Sequence, residues 1–408
     1  MMGTAMRDLT KEALRVQIRI LGCAVFIALA GVGNAVARGA ADVPEAGRRT
    51  IQVGEKRDIK NVSVAARLAK DGDTIEVDAG DYPQDVAVWT QSNLSVKAVG
   101  GRVRLLAEGA AVEEKAIWVV RGGAMTVEGF DFEGARVKDR NGAGIRLEKG
   151  RLKVRDCRFI DNENGILTGG SGDTTLDIEN SEFGNNGAGD GRSHNLYVGA
   201  IARLTVTGSY FHHARVGHLL KSRAAVNDIR YNRLTDEIGG RASYELEFPN
   251  GGVAYVIGNI IQQSSTTQNP NMVSFGAENY QGPRNEIYLV NNTLVDLRPQ
   301  NGVFLNVQPG KVRILAINNL LIGKATLDSA GQGGDYRNNF NVDYDEFVKA
   351  TREDFRLAGN SRLIGKALIP DAVGEVELKP LMEYVHPRST RRLGNGRLSP
   401  GAMQSIGP

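Results

Sequence analysis

Cysteine is nearly absent from this chain of 408 residues: there are two, Cys23 and Cys157. That excludes a disulfide framework and a cysteine-built metal centre. Aromatic residues make up only 6%, and twelve prolines stand against fifty glycines. Neither sign of charge dominates, since the formal net charge is +3, and so nearly neutral a chain gives no support for nucleic-acid binding. Long hydrophobic runs are missing too. The longest, from Ile20 to Val32, falls short of the roughly twenty residues that span a bilayer.

That run belongs to a pattern at the N-terminus. Arg7, Lys11, Arg15 and Arg19 precede it and the small-residue ending Ala35-Val36-Ala37 follows it, which reads as a cleaved secretory signal over residues 1–37. Cys23 stands before most of the apolar run, out of place for lipidation. The expectation is a periplasmic or secreted protein with no membrane span after signal removal, a flexible leader over 38–49 and a monomeric state. Losing those four basic residues with Asp8 and Glu12 leaves a formal +1, and Cys157 is then the only thiol.

What the chain has instead is a repeat. Short units recur with similar wording, among them Val127-Glu-Gly-Phe-Asp-Phe132, Val154-Arg-Asp-Cys-Arg-Phe159, Val206-Thr-Gly-Ser-Tyr-Phe211 and Leu289-Val-Asn-Asn-Thr-Leu294. Their fourth positions (Phe130, Cys157, Ser181, Ser209, Asn232, Asn259, Asn292, Asn319) are spaced by 23 to 33 residues. This is the coil length of a parallel β-solenoid, in which no coil buries its apolar face alone and stacked coils share one core. The asparagines would then form a structural ladder, and Cys157 in the same column is a buried filler.

The segment Val62 to Tyr82 predicts a short helix from Val62 to Lys70, a turn at Asp71-Gly72-Asp73 and a strand from Thr74. Its wording resembles the entry cap of secreted right-handed parallel β-helix proteins, the pectin-lyase-like superfamily. The C-terminal phrases Glu353-Asp-Phe-Arg-Leu-Ala358, Ser361-Arg-Leu-Ile364 and Ser399-Pro-Gly-Ala-Met403 resemble the closing segment of the same proteins. The resemblance implies an all-β, single-stranded right-handed parallel β-helix over 50–334, with an N-terminal cap helix and an irregular C-terminal cap over 335–408. Asp343 to Thr351 reads as a short helix within that cap.

Each coil carries a further strand after its repeat unit, and these strands differ from coil to coil. Alternation places Leu196, Val198, Leu220, Leu246 and Phe248 inward and Asn195, Tyr197, Leu219, Lys221, Arg223, Glu245 and Glu247 outward. With coils about 4.8 Å apart, Tyr197, Lys221 and Glu247 would form a patch across three coils. His194 and His218 open two of these strands. Cations, hydroxyls and carboxylates so arranged suit a saccharide site, where eliminative cleavage needs a group to neutralise a uronate, a base and an acid. A plain cross-coil ion pair, worth under about 1 kcal/mol, is the bland reading.

The run His218-Leu-Leu-Lys221-Ser222, with Asn227 and Asn232 behind it, resembles the lysine-bearing coil of the polysaccharide lyases that include chondroitinase B and related alginate lyases. That resemblance implies Lys221 as base, acting on an acidic glycan. Tyr197 or His218 is then the candidate acid, with Arg223 and Glu247 positioning and neutralising. His194, Asn195, Glu245, Asn250, Arg241 and Glu278 are candidates for binding substrate. Those lyases carry an arginine where this chain has Tyr244-Glu-Leu-Glu-Phe248, so Arg223 or Arg241 would have to substitute. No cofactor is certain; calcium on Glu245 or Glu247 is the one candidate. Two other readings stay open: a glycoside hydrolase pairing Glu245 or Glu247 with Glu278, and a non-catalytic carbohydrate-binding or surface-structural solenoid.

Overall fold

The computed structural model describes residues 49–267, 269–328 and 333–405. The expected signal sequence (1–37) and nearly all of the expected leader (38–49) therefore lie outside the described residues. From Thr50 onward the chain winds a right-handed parallel β-helix of about ten turns. A typical coil has three short strands, such as Arg203–Thr207, Tyr210–His212 and Leu220–Ser222, each paired in parallel with its counterparts in the coils before and after. The first two strands of every coil belong to one long sheet. The third strands stack into a separate sheet of ten, from Ala87–Trp89 to Thr326–Asp328.

The repeat wording has a backbone cause. Between the first and second strands the chain turns through one residue in the left-handed region, at Gly129, Asp156, Asn180, Gly208, Tyr231, Gly258, Asn291 and Asn318. Glycine, asparagine and aspartate tolerate that conformation best, which is why the third position of the unit is so restricted. Tyr231 is the exception; its ring is buried in one cluster with Tyr255 and Tyr288, and its hydroxyl accepts the Leu381 backbone N–H at 2.9 Å. The next position forms the ladder. Asn259 Oδ1 accepts the Asn232 N–H at 2.9 Å, Asn292 Oδ1 accepts from Asn259, and Asn319 Oδ1 accepts from Asn292. Ser181 and Ser209 do the same with hydroxyls in earlier coils, and Cys157 begins that run with a fully buried thiol pushed up to about 12 by desolvation.

Inside, Phe132, Phe159, Phe183 and Phe211 stack coil on coil with centroids 4.9, 4.7 and 4.7 Å apart. The entry helix spans Val62–Leu68 and buries Val62, Ala65 and Ala66. At the other end the tail does more than close the solenoid. Leu378 shares one buried cluster with Tyr231, Tyr255, Tyr288 and Leu315 of the long sheet, and Tyr384, Phe355 and Phe347 share another with Ile260, Val295 and Leu320. This shared burial explains why Val253–Ile257 and its neighbours are apolar on both faces. The helix expected from Asp343 to Thr351 does not form. Two single 3₁₀ turns, Tyr344–Glu346 and Ala350–Arg352, flank a strand at Phe347–Lys349 that pairs antiparallel with Asp354–Leu357, because Phe347 and Phe355 meet edge to face. Among the described residues no helix is long and apolar enough to cross a membrane.

Candidate functional site

The outward-facing side of the ten-stranded sheet brings the central polar residues into register. Tyr197 pairs with Lys221, Lys221 with Glu247, Glu247 with Ser274 and Ser274 with Asn306, one per coil. The inward partners Leu196, Leu220, Leu246 and Val273 are fully buried and hold the strands flat against the core. Lys221 is the hub. Its Nζ lies 2.9 Å from Glu247 Oε2 and 3.0 Å from Glu278 Oε1. Arg223, the residue just after that strand, reaches Glu278 Oε2 at 2.8 Å with Nη2, Asn250 Oδ1 at 3.0 Å with Nη1 and the Tyr197 hydroxyl at 3.3 Å with Nε.

Behind Glu247 stands His218, whose Nε2 is 2.8 Å from the same Oε2. An ionised carboxylate only accepts, so this ring nitrogen carries the hydrogen. His194 lies against His218, ring centroids 4.4 Å apart, and its Nδ1 accepts the His218 backbone N–H at 2.9 Å, which puts its own hydrogen on Nε2. Burial, reinforced by the nearby cations, pushes His194 well below the usual imidazole range; burial also lowers His218 in spite of Glu247. Both are neutral rings. Partial burial would raise the carboxyls of Glu247 and Glu278, but it is outweighed. The His218 hydrogen bond and the Lys221 charge hold Glu247 low, and Arg223 and Lys221 hold Glu278 low.

Three expected outward residues point the other way. Asn195, Leu219 and Glu245 are fully buried, because each precedes a strand of only three residues and lies in the corner of the coil, where strand alternation no longer applies. Asn195 Oδ1 accepts from Asn186 and its Nδ2 donates to the His212 carbonyl, so it braces the corner. Leu219 joins the core. Both carboxylate oxygens of Glu245 are buried with no partner among the described residues, and burial first, then Asp236, pushes that carboxyl well above the usual range. Glu245 therefore cannot pair with Glu247 on the surface. His194, 3% exposed, supports His218 instead of lining the face, and Arg241 lies exposed in the loop between Arg233–Thr235 and Leu246–Phe248, outside the Lys221 network.

The donor set does not suit a calcium ion. Glu247 Oε2 is already shared by an imidazole N–H and an ammonium, Glu278 lies across two cations, and Glu245 is sealed in the core. Among the described residues no group of three or more His, Cys, Asp or Glu is arranged to hold a metal. Ser274 was passed over in the sequence although it stands in the strand Asn271–Phe275; the register places it beside Glu247, with a buried hydroxyl lacking a hydrogen-bond partner among the described residues. The signal was present in the coil spacing, had Glu247 been carried forward one coil.

No protein-family model matches the chain, and no curated protein matches it in sequence. Among solved structures, the crystal structure of pectate lyase Pel9A superposes with a TM-score of 0.57 at 14% identity, over 88% of this chain and 97% of that one. The chain is thus a right-handed parallel β-helix of the architecture seen in pectate lyase Pel9A.

Proposed function

We propose that this is an exported polysaccharide-active enzyme, a lyase that cleaves an acidic glycan by β-elimination. The observation that carries the reading is the pairing of Lys221 and Arg223 at the end of one strand, 12% and 20% exposed, with the Tyr197 hydroxyl beside them. Arg223 neutralises the uronate carboxylate, which acidifies the adjacent ring proton. Lys221, once it has released its proton to solvent, removes that ring proton as the free amine; the electron pair forms the double bond as the bond to the leaving oxygen breaks. Tyr197 protonates the leaving oxygen. His218 is 6% exposed and lies behind Glu247, a place suited to orienting that carboxylate and not to meeting substrate. The shared architecture with a pectate lyase supports the reading at the level of fold.

One observation favours a second reading. A single ammonium touches Glu247 and Glu278 at 2.9 and 3.0 Å, which keeps the contacting oxygens closer than the roughly 6.5 Å at which inverting carboxylate pairs begin. A retaining glycoside hydrolase would use such a pair. Purified protein offered polygalacturonate, alginate and glycosaminoglycans separates the readings: new unsaturated ends support the lyase, and reducing ends without unsaturation support the hydrolase. Binding without either product would leave a non-catalytic carbohydrate binder.

A further inference from the structure

One carboxylate lies across both cations of the site. Glu278 Oε1 is 3.0 Å from Lys221 and Oε2 is 2.8 Å from Arg223, a two-point grip on a planar anion. Yet Glu278 is not part of the sheet. It hangs from the loop after the strand Asn271–Phe275, and its side chain is 47% exposed while the two cations beneath it are largely covered.

Neither cation depends on it for position. With Glu278 turned away, Lys221 keeps Glu247, and Arg223 keeps Asn250 and Tyr197. The loop backbone does not depend on the ion pairs either. The Glu278 N–H donates to the Pro249 carbonyl at 2.8 Å, the Gln281 N–H to Asn250 at 3.1 Å, and the Tyr280 hydroxyl to the Gln308 carbonyl at 2.6 Å. A rotation of one half-exposed side chain would therefore vacate the seat without opening the loop. Two cations facing the single remaining anion, Glu247, then leave room for one negative charge.

We propose that Lys221 and Arg223 form a seat for the carboxylate of a uronic acid residue, and that Glu278 fills this seat in the unliganded protein until substrate displaces it. The inference rests on the acidic-glycan reading above and gives it a direction. Glu278 then competes with substrate instead of binding it, and a neutral sugar, with no anion to exchange, leaves the plug in place. A planar two-oxygen group matches the grip, which distinguishes a carboxylate from a tetrahedral sulfate ester.

The test is calorimetric titration of the mature chain and its Glu278→Ala and Glu278→Gln variants with digalacturonate, a mannuronate disaccharide, cellobiose and glucose 6-sulfate, the fold of each variant being checked by circular dichroism. At least one uronate should bind both variants about tenfold tighter than the native chain, with cellobiose unchanged and the sulfate gaining less than the uronate. Adding Arg223→Met to Glu278→Ala should abolish the gain. Unchanged or weaker uronate binding in Glu278→Ala overturns the seat, as does an equal gain for cellobiose or for the sulfate. The outcome is separable from turnover: a uronate gain in a protein that cleaves no uronan keeps the seat and removes the lyase, and cleavage without the gain does the reverse.

Discussion

Lys221 and Glu247 stand in register on adjacent coils with Nζ and Oε2 2.9 Å apart, and the carboxylate in this pair is only 4% exposed. An exposed cross-strand pair contributes little, and a covered one leaves a costly charge behind when broken unless another donor stays on that charge, as His218 does on Glu247. Lys221→Met should therefore lower melting temperature slightly, since His218 still satisfies Glu247, but cost about 10²- to 10⁴-fold in turnover if the amine moves the proton. Loss of turnover with little change in melting temperature, read by product assay and by thermal unfolding, is the expected split. A Lys221→Met protein that keeps its full rate would remove the assigned base.

His218 acts through Glu247. Replacing it by Phe removes the N–H that holds Oε2 at 2.8 Å, and turnover should fall about tenfold with KM nearly unchanged. His218→Gln, which can offer an N–H from a similar place, should recover part of the loss. A change confined to KM would instead put His218 in contact with substrate.

The buried acids in the corner of the central coils should make stability depend on pH. Desolvation pushes the Asp236 carboxyl up to about 7 from an ordinary 3.8. A raised folded-state value means that the folded protein holds its proton more tightly than the unfolded chain does. The associated stability is fully present below about pH 4 and is lost as pH rises to about 7, by up to about 4 kcal/mol from this one group. Glu245, raised well above its usual range by burial and then by Asp236, acts in the same direction. Urea unfolding between pH 4 and 8 should show the decline, and Asp236→Asn should flatten it.

Glu245 also offers a substitution that improves the fold. Its two carboxylate oxygens are buried without partners, and it shares its corner row with Leu219 and Met272, both core residues. Glu245→Met should raise stability by about 1 to 3 kcal/mol at neutral pH, the cost of a buried unsatisfied group removed. A loss of stability would mean that the carboxyl finds partners in solution.

Much of the fold was legible in the sequence because the solenoid repeats its constraints. The left-handed turn at positions such as Gly208, Gly258 and Asn291, the ladder of Asn232, Asn259, Asn292 and Asn319, and the stacked phenylalanines each recur once per coil. The site was legible only where strand alternation governs. It placed Tyr197, Lys221 and Glu247 in one outward column, and it misplaced Asn195, Leu219 and Glu245, which sit at corners whose backbone is set by coil geometry and not by pleat. The histidines divided likewise. His194 and His218 meet behind the site, while His212 lies in a different strand, Tyr210–His212, with its Nδ1 2.8 Å from that of His213. The tail's return along the outer sheet left no repeat to read, and appears only in the apolar outer positions Tyr255, Tyr288 and Leu315 that it covers.

The most direct measurement compares the two kinds of chain end produced from an acidic polysaccharide. Native protein is incubated with polygalacturonate, alginate or a glycosaminoglycan, and ultraviolet absorbance from unsaturated ends is counted against new reducing ends in the same sample. The account predicts one unsaturated end for each new reducing end, abolished by Lys221→Met. Reducing ends without absorbance, or no cleavage of any of these glycans, would contradict it.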